Sequence, residues 1–197
     1  SFSSVGSAMR TWLDAGKFVP RQRLSELLRI EPDRVFYSDH HLSHAASTFY
    51  CSPFDKATVV TLDGVGEYET AAIYSADSSG IRQLAHTRFP NSLGLFYSAF
   101  TAYLGFEVNE GEYKVMGMAA YGKPIFYDHI RPLIRVIDGK ICVNQGYFAF
   151  RNPKNMPFTC KLTDLLGSAR LPSASFLPEI NAGLDSESMR FANIAAS

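Results

Sequence analysis

The sequence lacks an excess of charge of either sign, and it lacks a long apolar run. Its 19 lysines and arginines are balanced by 19 aspartates and glutamates. No field of one sign is therefore available to bind nucleic acid or an anionic membrane. No apolar run approaches the ~20 residues that a membrane-spanning helix needs. The sequence predicts a protein that has neither nucleic acid nor a membrane as its main partner.

Cysteine is also scarce. The three cysteines are Cys51, Cys142 and Cys160, an odd number at wide spacing without a C-x-x-C pair. This usage predicts no disulfide framework and favours a reducing, cytoplasmic location. We expect all three to be small buried side chains.

Enough apolar material is present for a core. Hydrophobic residues make up 46% of the 197 residues, which predicts a globular domain of the α/β type. Charged residues make up only 19%, below the roughly 25% of typical domains. We therefore expect part of the surface to pack on the rest of a longer chain. The helical pattern at 185–197 has no terminating signal, and this also predicts that the natural chain continues.

The apolar spacing and the turn residues predict an alternation of helices and strands. Residues 1–35 are expected to be a helical lead-in, with helices broken around Pro20, and the main domain to begin at 36. The predicted elements are a strand at 34–37, a helix at 40–50 capped by Asp39, a buried central strand at 57–64, strands at 68–74 and 81–88, helices at 92–103 and 111–121, a hairpin at 134–143, and mostly loop at 152–178.

Histidines are concentrated in the run Asp39-His40-His41-Leu42-Ser43-His44. His40 and His44 are four residues apart, a spacing that brings two Cβ atoms within about 5–6 Å on one helix face, close enough to share a metal ion. A zinc protease is excluded because His41 stands where its H-E-x-x-H motif needs a glutamate. Two imidazoles suit Zn, Fe, Ni or Cu and leave the coordination sphere incomplete. A solvated histidine pair is the alternative.

A carboxylate follows the predicted central strand. Asp63 is followed by Gly64-Val65-Gly66-Glu67, where glycine permits positive φ and lets backbone N–H groups approach an anion. The spacing matches neither the dinucleotide motif nor a P-loop, and an ordinary hairpin turn is the alternative. Together, His40, His44 and Asp63 predict a two-histidine, one-carboxylate metal site with open positions for substrate.

The predicted helix at 111–121 is rich in small residues. An interior glycine destabilises a helix by about 1 kcal/mol relative to alanine, and such a residue is tolerated where a backbone or ligand comes close. Gly111, Glu112 and Lys114 are candidates for ligand contacts, with Glu112 facing a hydroxyl and Lys114 a phosphate. Tight helix packing with Lys114 in solvent is the alternative.

Four segments together resemble the O-carbamoyltransferase family of nodulation (NodU-type) and antibiotic-tailoring (CmcH-type) enzymes. They are DHHLSHAASTFYCSPF at 39–54, ATVVTLDGVGE at 57–67, NSLGLFYSAFTAYLGF at 91–106 and NEGEYKVMGMAAYGKP at 109–124. The resemblance implies a mixed α/β fold of the actin-like ATPase (ribonuclease H-like) type, shared with tRNA threonylcarbamoyl-transfer proteins. It also implies that residues 36–197 are only part of this domain, and we expect its first strands and a carboxy-terminal domain to be absent from this chain.

The resemblance further implies the chemistry. In the family, carbamoyl phosphate and ATP give carbamoyl-adenylate, whose carbamoyl group passes to a hydroxyl of a small-molecule or sugar acceptor. The residues matching His40, His44 and Asp63 hold a divalent ion, expected to be iron. The stretch Asp63, Gly64, Val65, Gly66 and Glu67 is expected to contact the adenylate, and Gly111, Glu112 and Lys114 the nucleotide or acceptor.

The family's His-Asp-Ser type motif is not found in this sequence, so the catalytic residues are unknown. We expect this chain alone to be inactive. Two other functions stay open. One is a non-catalytic binding module of the same fold. The other is a relative of the tRNA-modification proteins, which the absence of a basic stripe disfavours.

Overall fold

The computed structural model describes residues 20–151, 156–174, 176 and 185–197. The chain divides into two compact units, residues 1–39 and 40–197. In the first unit, helix α1 (Pro20–Leu28) is followed by a 3₁₀ helix at Pro32–Arg34. A proline suits the first position of α1 because an N–H there would have no acceptor within the helix, and proline has no N–H. The helix predicted before residue 20 lies outside the described residues.

The strand predicted at 34–37 is wrong. The 3₁₀ helix ends at Arg34, where the backbone N–H of Val35 bonds to the carbonyl of Pro32. Val35 has extended backbone angles, but residues 35–37 belong to no strand in the described part of the chain. The side-chain pattern alone cannot distinguish such a connection from a strand.

The second unit contains the three-stranded meander that the sequence predicts. Strands β1 (Ala57–Gly66), β2 (Glu69–Asp77) and β3 (Gly80–Arg88) pair in antiparallel order β1-β2-β3. The first strand was expected to end at residue 64, and this is wrong. β1 continues to Gly66 through an irregularity in its register with β2, and residues 67–68 make the turn.

The expectation that β1 is a buried central strand is also wrong within the described residues, where β1 lies at the edge of the sheet. Helix α2 (His40–Phe49) covers one face of the sheet. Val60 and Leu62 point to the other face and are 57% and 56% exposed. The helix and the covered face of the sheet together form a small core. It consists of Ala45 and Phe49 from the helix and Val59, Ala72, Tyr74 and Ala76 from the sheet.

A larger core lies among the elements after the sheet. They are α3 (Leu93–Tyr103), α4 (Glu112–Ala119), α5 (Tyr127–Ile130), a 3₁₀ helix (Arg131–Leu133), β4 (Ile134–Ile137), β5 (Lys140–Val143), α6 (Cys160–Leu166) and α7 (Ser186–Ala196). The hairpin of β4 and β5 is confirmed, with Asp138 and Gly139 at positive φ in its turn. Gly122 follows α4 and packs on the backbone of Ala192 in α7, where a Cβ would overlap a carbonyl. The architecture is mixed α/β, as predicted.

Two further expectations need correction. Residues 152–178 were expected to be mostly loop, yet they contain α6, whose Leu162 and Leu166 are four residues apart and buried in the larger core. The three cysteines are free, but Cys51 and Cys160 are exposed and Cys142 is only partly buried. Cys160 opens α6, and the buried face of that helix is occupied by its leucines. Among the described residues, no helix has the length and apolar character to cross a bilayer.

Candidate metal centre

His40 and His44 of α2 meet Asp63 of β1 at one point. The Nε2 atom of His40 lies 2.5 Å from Oδ2 of Asp63, and the Nε2 atom of His44 lies 3.4 Å from the same oxygen. The two Nε2 atoms are 3.1 Å apart. The helix supplies two imidazoles four residues apart and the strand supplies one carboxylate, as the sequence suggested. The structure therefore brings the three predicted ligands together.

The geometry of this cluster fits a divalent transition metal. Ligand atoms bound at about 2.0–2.2 Å to one ion lie about 2.9–3.5 Å from each other in tetrahedral or octahedral arrangement. Both distances from His44 fall in this range, and the shorter His40–Asp63 distance is that of a hydrogen bond from the imidazole to the carboxylate. Among the described residues, His40, His44 and Asp63 form the group of histidine, cysteine or acidic side chains whose ligand atoms lie close enough together to hold an ion. Metal binding itself stays a prediction.

The cluster is open to solvent on the side of His44. The side chain of His44 is 56% exposed, whereas those of His40 and Asp63 are 39% and 33% exposed. Two imidazoles and one carboxylate leave coordination positions free on most divalent metals. The arrangement can therefore hold an ion and still admit a ligand from solvent.

Both oxygens of Asp63 have defined partners. Oδ2 accepts the bond from His40, and Oδ1 accepts a 2.7 Å bond from the backbone N–H of Gly64. Burial acts to raise the pKa of Asp63, but the hydrogen bonds from His40 and Gly64 and the charges of His40 and His44 outweigh it, so the pKa is lowered. Asp63 is thus held as a carboxylate, the form that binds a cation.

The strand end that carries Asp63 is fixed on the first turn of α3. The hydroxyl of Ser92 accepts a bond from the N–H of Leu95, which caps the helix, and donates to the carbonyl of Gly64 at 2.7 Å. The same hydroxyl lies 3.1 Å from the carbonyl of Asp63. A Cβ at Gly94 would come within 2.7 Å of that carbonyl oxygen. The contact of Ser92 with the backbone of Asp63 depends on how α3 packs on β1, so it could not be predicted from the sequence.

The glycines of the Asp-Gly-x-Gly turn act differently from the expectation. Neither Gly64 nor Gly66 has a positive φ, so the predicted conformational reason is wrong. Gly66 is required because a Cβ there would overlap the imidazole of His40. Val65 and Glu67 are exposed, and Glu67 begins the turn with φ at 61°.

Of the three candidates at α4, two have structural partners. Gly111 precedes the helix, and a Cβ there would lie 2.7 Å from Cβ of Phe106. Oε1 of Glu112 accepts bonds from the N–H of Asn109 and the hydroxyl of Ser98. Lys114 is exposed, with its ammonium 5.8 Å from the ring centroid of Tyr113. Packing therefore accounts for Gly111 and Glu112, and the ligand contacts of all three stay predictions.

Comparison with known proteins identifies the class. Residues 4–197 match the family described as carbamoyltransferase N-terminus, and the chain belongs to that family. The resemblance inferred from the sequence motifs is therefore confirmed.

Relatives occur in different organisms. The chain is 40% identical over 172 residues to the uncharacterized protein sll1178 of Synechocystis sp., covering 83% of this chain and 28% of that protein. It is 32% identical over 153 residues to the nodulation protein NolNO of Sinorhizobium fredii, covering 71% of this chain and 22% of that one. It is 40% identical over 89 residues to the nodulation protein NolO of Bradyrhizobium diazoefficiens, covering 45% of this chain and 16% of that one. The aligned part thus makes up less than a third of each relative.

Proposed function

We propose that this chain is part of the catalytic domain, of actin-like fold, of an ATP- and metal-dependent O-carbamoyltransferase. The enzyme would move a carbamoyl group from carbamoyl phosphate, through carbamoyl-adenylate, to a hydroxyl of a small-molecule or sugar acceptor. The observation that carries the proposal is the convergence of His40, His44 and Asp63 in a chain of the carbamoyltransferase family.

The residues of the cluster have separate tasks in this proposal. His40, His44 and Asp63 hold a divalent ion, expected to be iron, which when bound supplies Lewis acidity toward the carbamoyl carbonyl. The N–H of Gly64 orients the Asp63 carboxylate, and Ser92 holds the backbone on which both residues lie. Val65 and Glu67, exposed at the same strand end, are available to contact the adenylate. Preorganised ligands of this kind need little rearrangement during the reaction.

The transfer step proposed here is an acyl substitution. The acceptor oxygen forms a bond to the carbamoyl carbon, the bond from that carbon to the AMP phosphate oxygen breaks, and AMP leaves with the electron pair. The acceptor proton passes to a base. The exposed side of His44 gives the acceptor a route to the cluster from solvent.

The proposal is tested on the full-length protein with the variants His40→Ala and Asp63→Ala. We expect both to lose bound metal, measured by elemental analysis, and to lose ATP-dependent carbamoyl transfer from labelled carbamoyl phosphate. His129→Ala is the control, since His129 is an exposed histidine that packs on Phe126. Unchanged metal content in both cluster variants would contradict the metal site. Metal binding without any carbamoyl transfer to hydroxyl acceptors would contradict the catalytic function and favour a binding module.

A further inference from the structure

His41 is a buried polar residue at the centre of the histidine helix. Its side chain is 2% exposed, between the more open His40 and His44. Its Nδ1 atom lies 2.7 Å from Oγ1 of Thr61, which is 7% exposed on β1. Thr61 is two residues before Asp63. One buried hydrogen bond therefore joins α2 to β1 beside the ligands that each element carries.

The partners of Thr61 define the direction of this bond. Thr61 Oγ1 also lies 3.4 Å from the carbonyl oxygen of Ala72 on the neighbouring strand, which can only accept. We therefore assign the single hydroxyl proton of Thr61 to the bond with Ala72, and with this assignment Nδ1–H of His41 donates to Thr61. This tautomer leaves Nε2 of His41 as an unpaired acceptor. The other tautomer would leave an unpaired buried N–H, and unpaired buried donors are rarer in proteins than unpaired acceptors.

The Nε2 atom of His41 is buried and has no hydrogen-bond partner among the described residues. A buried polar atom without a hydrogen-bond partner destabilises the fold, and an apolar side chain at this position would avoid that loss. Stability alone therefore does not favour histidine at position 41. The part of the imidazole that makes a specific contact is Nδ1, through Thr61.

The ring of His41 also packs on the two ligand rings. Its centroid is 5.5 Å from that of His40 at an interplanar angle of 69°, and 6.4 Å from that of His44 at 63°. Edge-to-face packing at such distances restricts ring orientation. His41 therefore acts on the same imidazoles whose Nε2 atoms face Asp63.

We propose that His41 and Thr61 are positioning residues of the metal centre, an inference that rests on the proposed metal-binding function. The His41–Thr61 bond fixes the register of α2 on β1, and the ring of His41 fixes the orientation of His40. A metal site tolerates ligand distances only within about 0.2 Å of their ideal values. Loss of the bond therefore lowers metal affinity even though neither residue touches the ion.

The test compares paired variants of the full-length protein. Thr61→Val removes the hydroxyl and keeps the shape, whereas Thr61→Ser keeps the hydroxyl. His41→Phe keeps a ring and removes the donor, whereas His41→Asn places an amide donor near the position of Nδ1. Zn²⁺ affinity is measured by competition with a chromophoric chelator, beside the midpoint of urea unfolding. We expect Thr61→Val and His41→Phe to lower affinity roughly 10-fold or more, with most of it restored in Thr61→Ser and His41→Asn.

Val59→Ala is the matched control, because Val59 faces the same core from the same strand and contributes no hydrogen bond to the site. We expect it to lower stability and leave Zn²⁺ affinity unchanged. If Val59→Ala is as unstable as Thr61→Val and loses as much Zn²⁺ affinity, the positioning role is overturned. Wild-type Zn²⁺ affinity in Thr61→Val would also overturn it. If the wild-type protein binds neither Zn²⁺ nor Fe²⁺, or binds the ion as tightly in the His40→Ala variant, the metal function fails and the inference falls with it.

Discussion

Gly66 of β1 lies directly against the imidazole of His40, so close that a Cβ at position 66 would come within 2.7 Å of Cγ of the ring. The strand and the helix thus approach each other at the point where the proposed ligands meet. The absence of a side chain at 66 is a condition for the position of His40.

This relationship predicts the result of Gly66→Ala. The added methyl group forces His40 away from Asp63, because the ring and the strand backbone cannot both stay in place. We expect metal affinity to fall roughly 10-fold or more, as for other changes that displace a ligand. Chelator competition on the full-length protein measures the change.

Gly117→Ala is the control for that substitution. Gly117 lies in α4, and a Cβ there meets nothing within 4 Å. We expect unchanged metal affinity and a gain of about 0.5–1 kcal/mol in stability from the better helix former. Metal binding by Gly66→Ala equal to that of Gly117→Ala would show that His40 can move without consequence.

The two hydrogen bonds of Ser92 give a second prediction, which separates its capping of α3 from its bond to the strand backbone. If Ser92 acted only as an N-cap, its replacement by glycine would lower stability by only a few tenths of a kcal/mol, and its replacement by alanine by about 1 kcal/mol. Ser92 also donates to the carbonyl of Gly64 from a fully buried position. Both Ser92→Ala and Ser92→Gly remove this second bond.

We therefore expect both Ser92 variants to lower the free energy of unfolding by about 1–2 kcal/mol, measured in urea. The carbonyl of Gly64 loses its partner in each case, so glycine cannot compensate through its capping ability. A glycine variant with stability close to wild type would mean that the bond to Gly64 contributes little.

The local features of the site could be predicted from the sequence. The spacing of His40 and His44 defines one helix face, and Asp63 follows a β-branched run, so both depend on short-range patterns. The contact of Gly66 with His40 and that of Ser92 with Gly64 could not be predicted, because they depend on how elements pack. The same limit applies to β1, whose apolar residues indicated a buried strand although Val60 and Leu62 are exposed here.

Asp185 predicts a dependence of stability on pH. Its carboxylate caps α7 by accepting bonds from the N–H groups of Ser188 and Glu187 and from the hydroxyl of Ser188. The backbone bond from Ser188, with the other bonds, lowers the pKa of Asp185 below its usual 3.8. A lowered pKa in the folded state gives stability that is complete above the unfolded value and is lost as pH falls through the folded value.

The measurement is urea unfolding of the wild type and Asp185→Asn between about pH 2 and 6. Asparagine can also cap a helix but does not titrate. We expect the wild type to exceed the variant in stability above about pH 4 and to lose this difference at lower pH. A difference that stays constant over the whole range would exclude the carboxylate of Asp185 as its source.

Lys114 gives the last prediction, which concerns the nucleotide. Its side chain is exposed at the start of α4 and packs near the ring of Tyr113. In the proposed function this ammonium contacts a phosphate, so Lys114→Ala in the full-length protein should weaken ATP binding roughly 10-fold, about 1.4 kcal/mol. The Lys114→Ala variant should leave metal content unchanged.

Lys161→Ala is the control, because Lys161 is an exposed lysine of α6. Equal ATP affinity in the two variants, measured by calorimetry, would place Lys114 among ordinary surface lysines, and loss of metal would assign it a structural role.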